Sequence, residues 1–178
     1  MTERSRKIEE ILRRREIDFL LHFSRDCNAD SIEELGIFPV TELEKRNIDY
    51  QKNDYKRLDG RKNCISLSIY NINYLFLRTL CHEQKWKYQY FIYYINPKIL
   101  LEGNRSFFCY ENAAKSEFKN ASDEYLSQPE RLNDFFIGDN TNKPFSPQAE
   151  ILFEGNIPPK YICEWKVFNH ENNYQYVL

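Results

Sequence analysis

Glu150 stands at the head of the apolar run Ile151-Leu152-Phe153, just after Pro147, Gln148 and Ala149. Read as a short buried strand, the stretch puts Gln148 and Glu150 on one face by side-chain alternation. A carboxylate there costs several kcal/mol when buried unpaired, so it belongs either at a solvated rim or in a cleft with something to bind. In a cleft it can oppose developing positive charge or accept a proton. From these residues alone the rim is the simpler reading. A second stretch, Phe19-Leu20-Leu21-His22-Phe23-Ser24, sets an imidazole and a hydroxyl on one strand face. A lone His in such a strand is more often a satisfied core residue than a ligand. Arg57, in Arg57-Leu58-Asp59-Gly60, carries a guanidinium fork that can hold a pyrophosphate through two parallel bonds, which Lys cannot. Its competing role is a surface ion pair with Asp54 or Asp59, worth about 1 kcal/mol or less. Spacing alone does not separate Arg57 from Arg61. Cys64-Ile65-Ser66-Leu67-Ser68-Ile69 alternates apolar and small polar side chains, so Ser66 and Ser68 share a face, as in many ordinary half-buried strands.

The elements that must position these groups follow from periodicity. Residues 4–16 read as an amphipathic helix with Ile8, Ile11 and Leu12 on its docked side. The His22 strand leads into a short helix capped by Asp30 or Ser31 and ended by Gly36. Residues 41–63 are polar, locally basic and read as irregular. After the serine strand, Tyr74-Leu75-Phe76-Leu77 reads as helix. The aromatic stretch from Trp86 to Ile95 reads as a central strand buried on both faces, stopped by Asn96-Pro97. Residues 116–146 read as a short helix and a turn-rich loop feeding the Glu150 strand, with Phe135 and Phe136 packed inside. Ile162 to Val167 reads as a last apolar strand.

In this order the stretches resemble the ADP-ribosyltransferases and, more narrowly, the DNA-modifying toxins of the DarT family. Ser146-Pro147-Gln148-Ala149-Glu150-Ile151-Leu152-Phe153, with Ile157-Pro158 after it, is similar to the family's closing motif. His22-Phe23-Ser24 followed by Asn28, Ile32 and Gly36 resembles its first motif, with Ser24 in place of the commoner Thr. Asn53-Asp54-Tyr55-Lys56-Arg57-Leu58-Asp59-Gly60 looks like its nucleotide-gripping segment, and Phe107 to Ala114 like its acceptor segment. The resemblance covers most of residues 19–168. It implies an α+β, ADP-ribosyltransferase-like fold, with a central split β-sheet, flanking helices and an NAD cleft. NAD is then a co-substrate, and no metal is needed. The catalytic residues implied are Glu150 and Arg57; NAD would be held by His22, Ser24, Asn28, Arg57 and Ser66, and the acceptor by Asn112 and Gln148. Where the thymine-modifying branch usually carries a His after Asp-Gly, this chain has Asn112 and then Ala113-Ala114, as in the branch associated with guanine. A carboxamide can donate to and accept from a base edge; Asn112 as a helix cap is an equal reading. The implied acceptor is single-stranded DNA, and the implied partner is a macrodomain antitoxin that removes the mark.

Composition bounds what else the chain could be. Its 178 residues suit one domain spanning 1–178, and 42% hydrophobic with 29% charged residues is globular composition. No apolar run approaches the roughly 18 residues a spanning helix needs, and the Arg/Glu-rich start lacks a signal peptide's apolar core. A cytoplasmic monomer that does not engage membranes is expected. The five Cys are widely spaced and include no Cys-x-x-Cys, so neither a disulfide framework nor a zinc site is indicated. A net charge of −2 argues against a general polyanion binder, so any nucleic-acid contact must be local. No phosphate-cradling Gly-Lys-Ser/Thr, Gly-x-Gly-x-x-Gly or metal-spaced His pair occurs. The rivals are an ADP-ribosyltransferase acting on RNA or protein, a metal-independent endoribonuclease using His22 and Glu150 as acid and base, and a catalytically silent nucleotide-binding module.

Overall fold

The computed structural model describes residues 1–53, 57–84, 87–103, 105–138 and 142–168. Its frame is a six-stranded sheet, every neighbouring pair antiparallel, in the order β4-β5-β2-β1-β3-β6. The strands are β1 (Leu20–Arg25), β2 (Cys64–Ile69), β3 (Tyr90–Ile95), β4 (Ser106–Cys109), β5 (Glu150–Glu154) and β6 (Ile162–Val167). Strand alternation divides the apolar residues between the two faces. Leu20, Leu67, Tyr93, Ile95, Ile151 and Phe153 belong to the main core, with Ile8, Ile11 and Leu12 of α1 (Glu3–Arg14) and Leu132 and Phe135 of a 3-10 segment, Pro129–Phe135. Thr2 caps α1 by accepting the Ser5 N–H, and Glu3 at its start with Arg13 and Arg14 at its end suit the helix dipole.

The opposite face carries two smaller clusters. One joins Leu21, Tyr90 and Ile92 to Leu77 and Leu80 of α4 (Tyr74–Glu83), a helix capped by Asn73 through the Phe76 N–H. The other joins Cys64, Phe107, Cys109 and Leu152 to Phe118 of α5 (Ser116–Lys119) and Leu126 of α6 (Asp123–Leu126). Residues of both clusters reach the site described below.

Several elements differ from the sequence reading. The polar stretch 41–63 is not wholly irregular, because α3 (Val40–Arg46) forms at its start with Pro39 as N-cap. The helix after β1, α2 (Ala29–Leu35), is capped by neither Asp30 nor Ser31; Asn28 holds the N-cap position without a side-chain bond to the helix. Gly36 does end it, at φ +90°. β3 lies second from the sheet's end, and β6 beyond it is largely exposed, with no further strand paired to it among the described residues. The described residues of 116–146 hold two short helices and the 3-10 segment; Phe135 and Phe136 are buried as expected. Gln148 lies in a turn ahead of β5, which begins at Glu150, so the two do not share a strand face. Among the described residues no helix is long and apolar enough to cross a membrane.

Candidate active site

The site is a fault in the sheet. β1 pairs with β3 along its length, but with β2 only at Leu20↔Ile69 and Leu21↔Ser68. Continued, that register would set Phe23 opposite Ser66. The strands part instead, and side chains take the carbonyls that a ladder would have used. His22 Nδ1 lies 3.0 Å from the Ser66 carbonyl oxygen, and Asn53 Nδ2 donates to the Phe23 carbonyl at 2.9 Å. Buried backbone acceptors need partners, and these two find them without closing the sheet.

A cavity of about 370 Å³ adjoins the gap. His22, Ser24, Asn28, Arg57, Ser66, Asn112 and Glu150 all line it. Gln148 and Arg61 are not among its lining residues. Ile32, Ile37, Phe38, Val40, Leu43 and Tyr50 give it an apolar wall supplied by α2, α3 and the segments beside them. A mostly apolar hollow with a few convergent polar groups is the usual form of a small-molecule site.

Glu150 opens β5 opposite Cys109 of β4. Ser66 faces Leu152 across the β2/β5 pair, two positions along from Glu150, and alternation returns both polar side chains to one face. Ser66 Oγ donates to Glu150 Oε2 at 3.1 Å, which fixes the carboxylate. The cost of crowding charge beside Glu150 is visible in Cys109, whose thiol is pushed up to about 12 by burial and then by the Glu150 carboxylate.

The His22 imidazole titrates below its ordinary 6.5, chiefly because it is desolvated; the hydrogen bond to the Ser66 carbonyl opposes that shift, and the nearby Arg57 cation adds a smaller push downward. A carbonyl can only accept, so Nδ1 carries the proton and donates to Ser66. The neutral ring's Nε2 is then an acceptor.

Arg57 holds φ +39°, a left-handed conformation that a side-chain-bearing residue adopts at a cost of order 1–3 kcal/mol. Its Nη2 donates to the Arg61 carbonyl at 2.5 Å and the Cys64 carbonyl at 3.2 Å, and lies 3.1 Å from Asp59 Oδ2. The ion pair with Asp59 that the sequence suggested is present, but it is largely buried at the cavity and not on the surface. Asp54 falls outside the described residues. Arg61 turns away, pairing with Asp123 at 2.8 Å and lying over the Phe107 ring at 4.2 Å.

Two predicted ligand-side amides are occupied by the protein itself. Asn28 accepts the Gln51 N–H at 2.8 Å, donates to the Gln51 carbonyl at 3.0 Å and donates to Ser24 Oγ at 2.9 Å. It clamps the segment before Asn53 against β1. Asn112 accepts the Ala114 N–H at 2.8 Å while it lines the cavity; the bond closes a turn and caps no helix, since α5 begins at Ser116 with Lys115 at its N-cap. Sequence reasoning missed Asn53 as a residue that holds the gap open; its position heading the Asn53 to Gly60 stretch was the only signal. It also missed Gln51 and the apolar wall.

No protein-family model and no curated protein matches the chain. Among solved structures it is similar to Thermosipho africanus DarTG in complex with ADP-ribose, with a TM-score of 0.55 and 18% identity over 86% of this chain. The match covers 45% of that chain, so this protein spans less than half its length. The likeness shows the fold: the α+β, ADP-ribosyltransferase-like architecture expected from the sequence is the one observed.

Proposed function

We propose that this protein is a toxin that transfers ADP-ribose from NAD to a base of single-stranded DNA, guanine in preference to thymine, and is countered by a macrodomain antitoxin. The observation that carries the reading is that Glu150 and Arg57 line one hollow with His22, Ser24 and Ser66, at the place where the sheet splits. The solved DarTG carries ADP-ribose, the portion of NAD that remains after nicotinamide leaves, which supports NAD as the donor.

In the reaction, the bond between nicotinamide nitrogen and ribose breaks with its electron pair leaving on nicotinamide. The sugar gains oxocarbenium character, as in glycoside cleavage. Glu150, held by Ser66, places negative charge against it, an effect of a few kcal/mol in a water-poor cleft, or about 100-fold or more in rate. A ring or amino nitrogen of the base then forms the new bond to the sugar carbon and loses its proton to Glu150. Arg57 holds the diphosphate. His22 Nε2 accepts from a ribose hydroxyl or the nicotinamide amide, and Ser24 supports the same end. Asn28 acts through Gln51 and Ser24. Asn112 meets the base with its amide NH2, since its oxygen accepts the Ala114 N–H. Gln148, in the turn before β5, contributes from the acceptor side. The protein works as a monomer in the cytoplasm and needs no metal.

The test is nucleoside mass spectrometry after incubation of single-stranded DNA with the protein and NAD. Deoxyguanosine bearing one ADP-ribosyl group is expected, and Glu150→Ala should fold normally and yield about 100-fold less or none. Labelling at the parental rate by Glu150→Ala would exclude the assignment. Labelled RNA or protein in place of DNA would move the acceptor and leave the NAD side intact. Cleavage of RNA without NAD would favour the endoribonuclease reading.

A further inference from the structure

A second hollow, of about 240 Å³, lies where β1 begins and β2 ends, on residues the transfer reaction does not use. It is lined by Phe19, Tyr70 and Tyr94, by Glu16 and Asp18, and by Ile17, Leu21, Ile69 and Asn142. Phe19 meets Tyr94 edge to face at a centroid distance of 5.7 Å. Phe19 and Tyr70 are 41% and 42% exposed, so both rings remain partly open to solvent. Tyr70 is held outward by a γ-turn, its φ +69° closed by the Asn71 N–H on the Ile69 carbonyl at 2.8 Å. Glu16 and Asp18 are exposed and make no ion pair among the described residues. The chain's own ammonium groups already sit on these rings: Lys143 Nζ is 4.5 Å from the Tyr70 centroid, and Lys166 Nζ, paired with Glu164, is 4.6 Å from that of Tyr94.

Aromatic faces around a cation, with carboxylates to neutralise it, are the chemistry that recognises ammonium groups. We propose that this hollow is a docking site for a lysine-bearing segment of a partner protein, and that Lys143 is its resident competitor. Charge complementarity selects the occupant. The two unpaired carboxylates would repel a nucleic-acid phosphate, and the aromatic faces give a lysine side chain both an apolar contact and a cation site. Neither element depends on the reading of the cleft.

The probe is acetyl-Lys-Lys-Lys-amide, titrated against the whole chain while the ring resonances of Phe19, Tyr70 and Tyr94 are followed by NMR. Saturable shifts confined to those rings are expected. Lys143→Ala should tighten binding about threefold or more by removing the competitor, and Asp18→Asn with Tyr70→Ala should weaken it about tenfold. Tyr70→Phe keeps the ring face and should bind as the parent does, which separates loss of the site from loss of fold. An acetyl-Gln-Gln-Gln-amide peptide binding equally well, or a Lys143→Ala protein that binds no tighter than the parent, would overturn the proposal. DNA labelling should be unaffected in these variants, so failure here and failure of the transferase reading give different results.

Discussion

Strand alternation set Ser66 and Ser68 on one face, but nothing in the local pattern joined Ser66 to Glu150; the bond between them comes from the β2/β5 pairing. Arg57 meets the same limit. Its guanidinium chemistry was readable, but its left-handed backbone and its choice of the cavity over the surface depend on the Arg61 and Cys64 carbonyls that receive it. Because Arg61 is committed to Asp123, Arg61→Ala should leave the NAD dissociation constant within about twofold, whereas Arg57→Lys should raise it about tenfold or more, as the fork is lost. Isothermal titration with NAD distinguishes the two, and equal effects would remove Arg57's special place. His22 carries a pH signature. Its folded pKa lies below the ordinary 6.5, so the unfolded chain binds a proton that the folded one refuses. The stability that comes from keeping the ring neutral is complete above that value and declines as pH falls through it, by at most about 1.4 kcal/mol per pH unit. Melting curves from pH 7.5 to 5 should therefore be steeper for the parent than for His22→Gln. Identical slopes would mean that the imidazole is not held neutral by its surroundings.

Among the elements, long periodic segments were the most legible: α1 and the serine strand follow directly from their apolar spacing. The start of β5 was not, because Gln148 fits the alternation but Ser146 draws the chain into a turn, accepting the Gln148 N–H on Oγ and the Ala149 N–H on its carbonyl. α3 was missed because its polar face hides a single apolar ridge, Val40 and Leu43, that meets the cavity. Gly36 joins the wall of that cavity to the chain beyond β5, where Ile37 and Ile157 exchange two backbone hydrogen bonds at 2.9 Å. A Cβ at Gly36 would stand 2.2 Å from the Ile157 carbonyl oxygen, on a backbone of φ +90°. Gly36→Ala should cost about 2–4 kcal/mol, combining strain with displacement of that bridge. Gly60, also at positive φ but with nothing within 4 Å of a Cβ, is the control, at about 1 kcal/mol. Urea midpoints of the two variants compare them, and equal shifts would mean that the bridge yields freely.

Across the whole molecule, the class of fold was legible and the wiring of the split was not. An α+β sheet with a cleft could be inferred from the stretches and their resemblance. That the opening lies between β1 and β2, after two residue pairs, is a matter of register, and register is set by partners distant in sequence. Asn53, thirty residues from the carbonyl it satisfies, could not be found from local pattern. The interruption has a consequence for how this protein tolerates change. Each missing rung between Phe23 and Ser66 is stability withheld beside an open cavity, a conflict common where function occupies otherwise foldable structure. Substituting His22→Val together with Asn53→Ala should let the strands zip, adding backbone bonds of about 1 kcal/mol each. The expected product melts higher and, on the proposed function, binds NAD more weakly than the parent. Sequence drift under pressure for sturdiness alone would therefore heal the seam and close the hollow beside it.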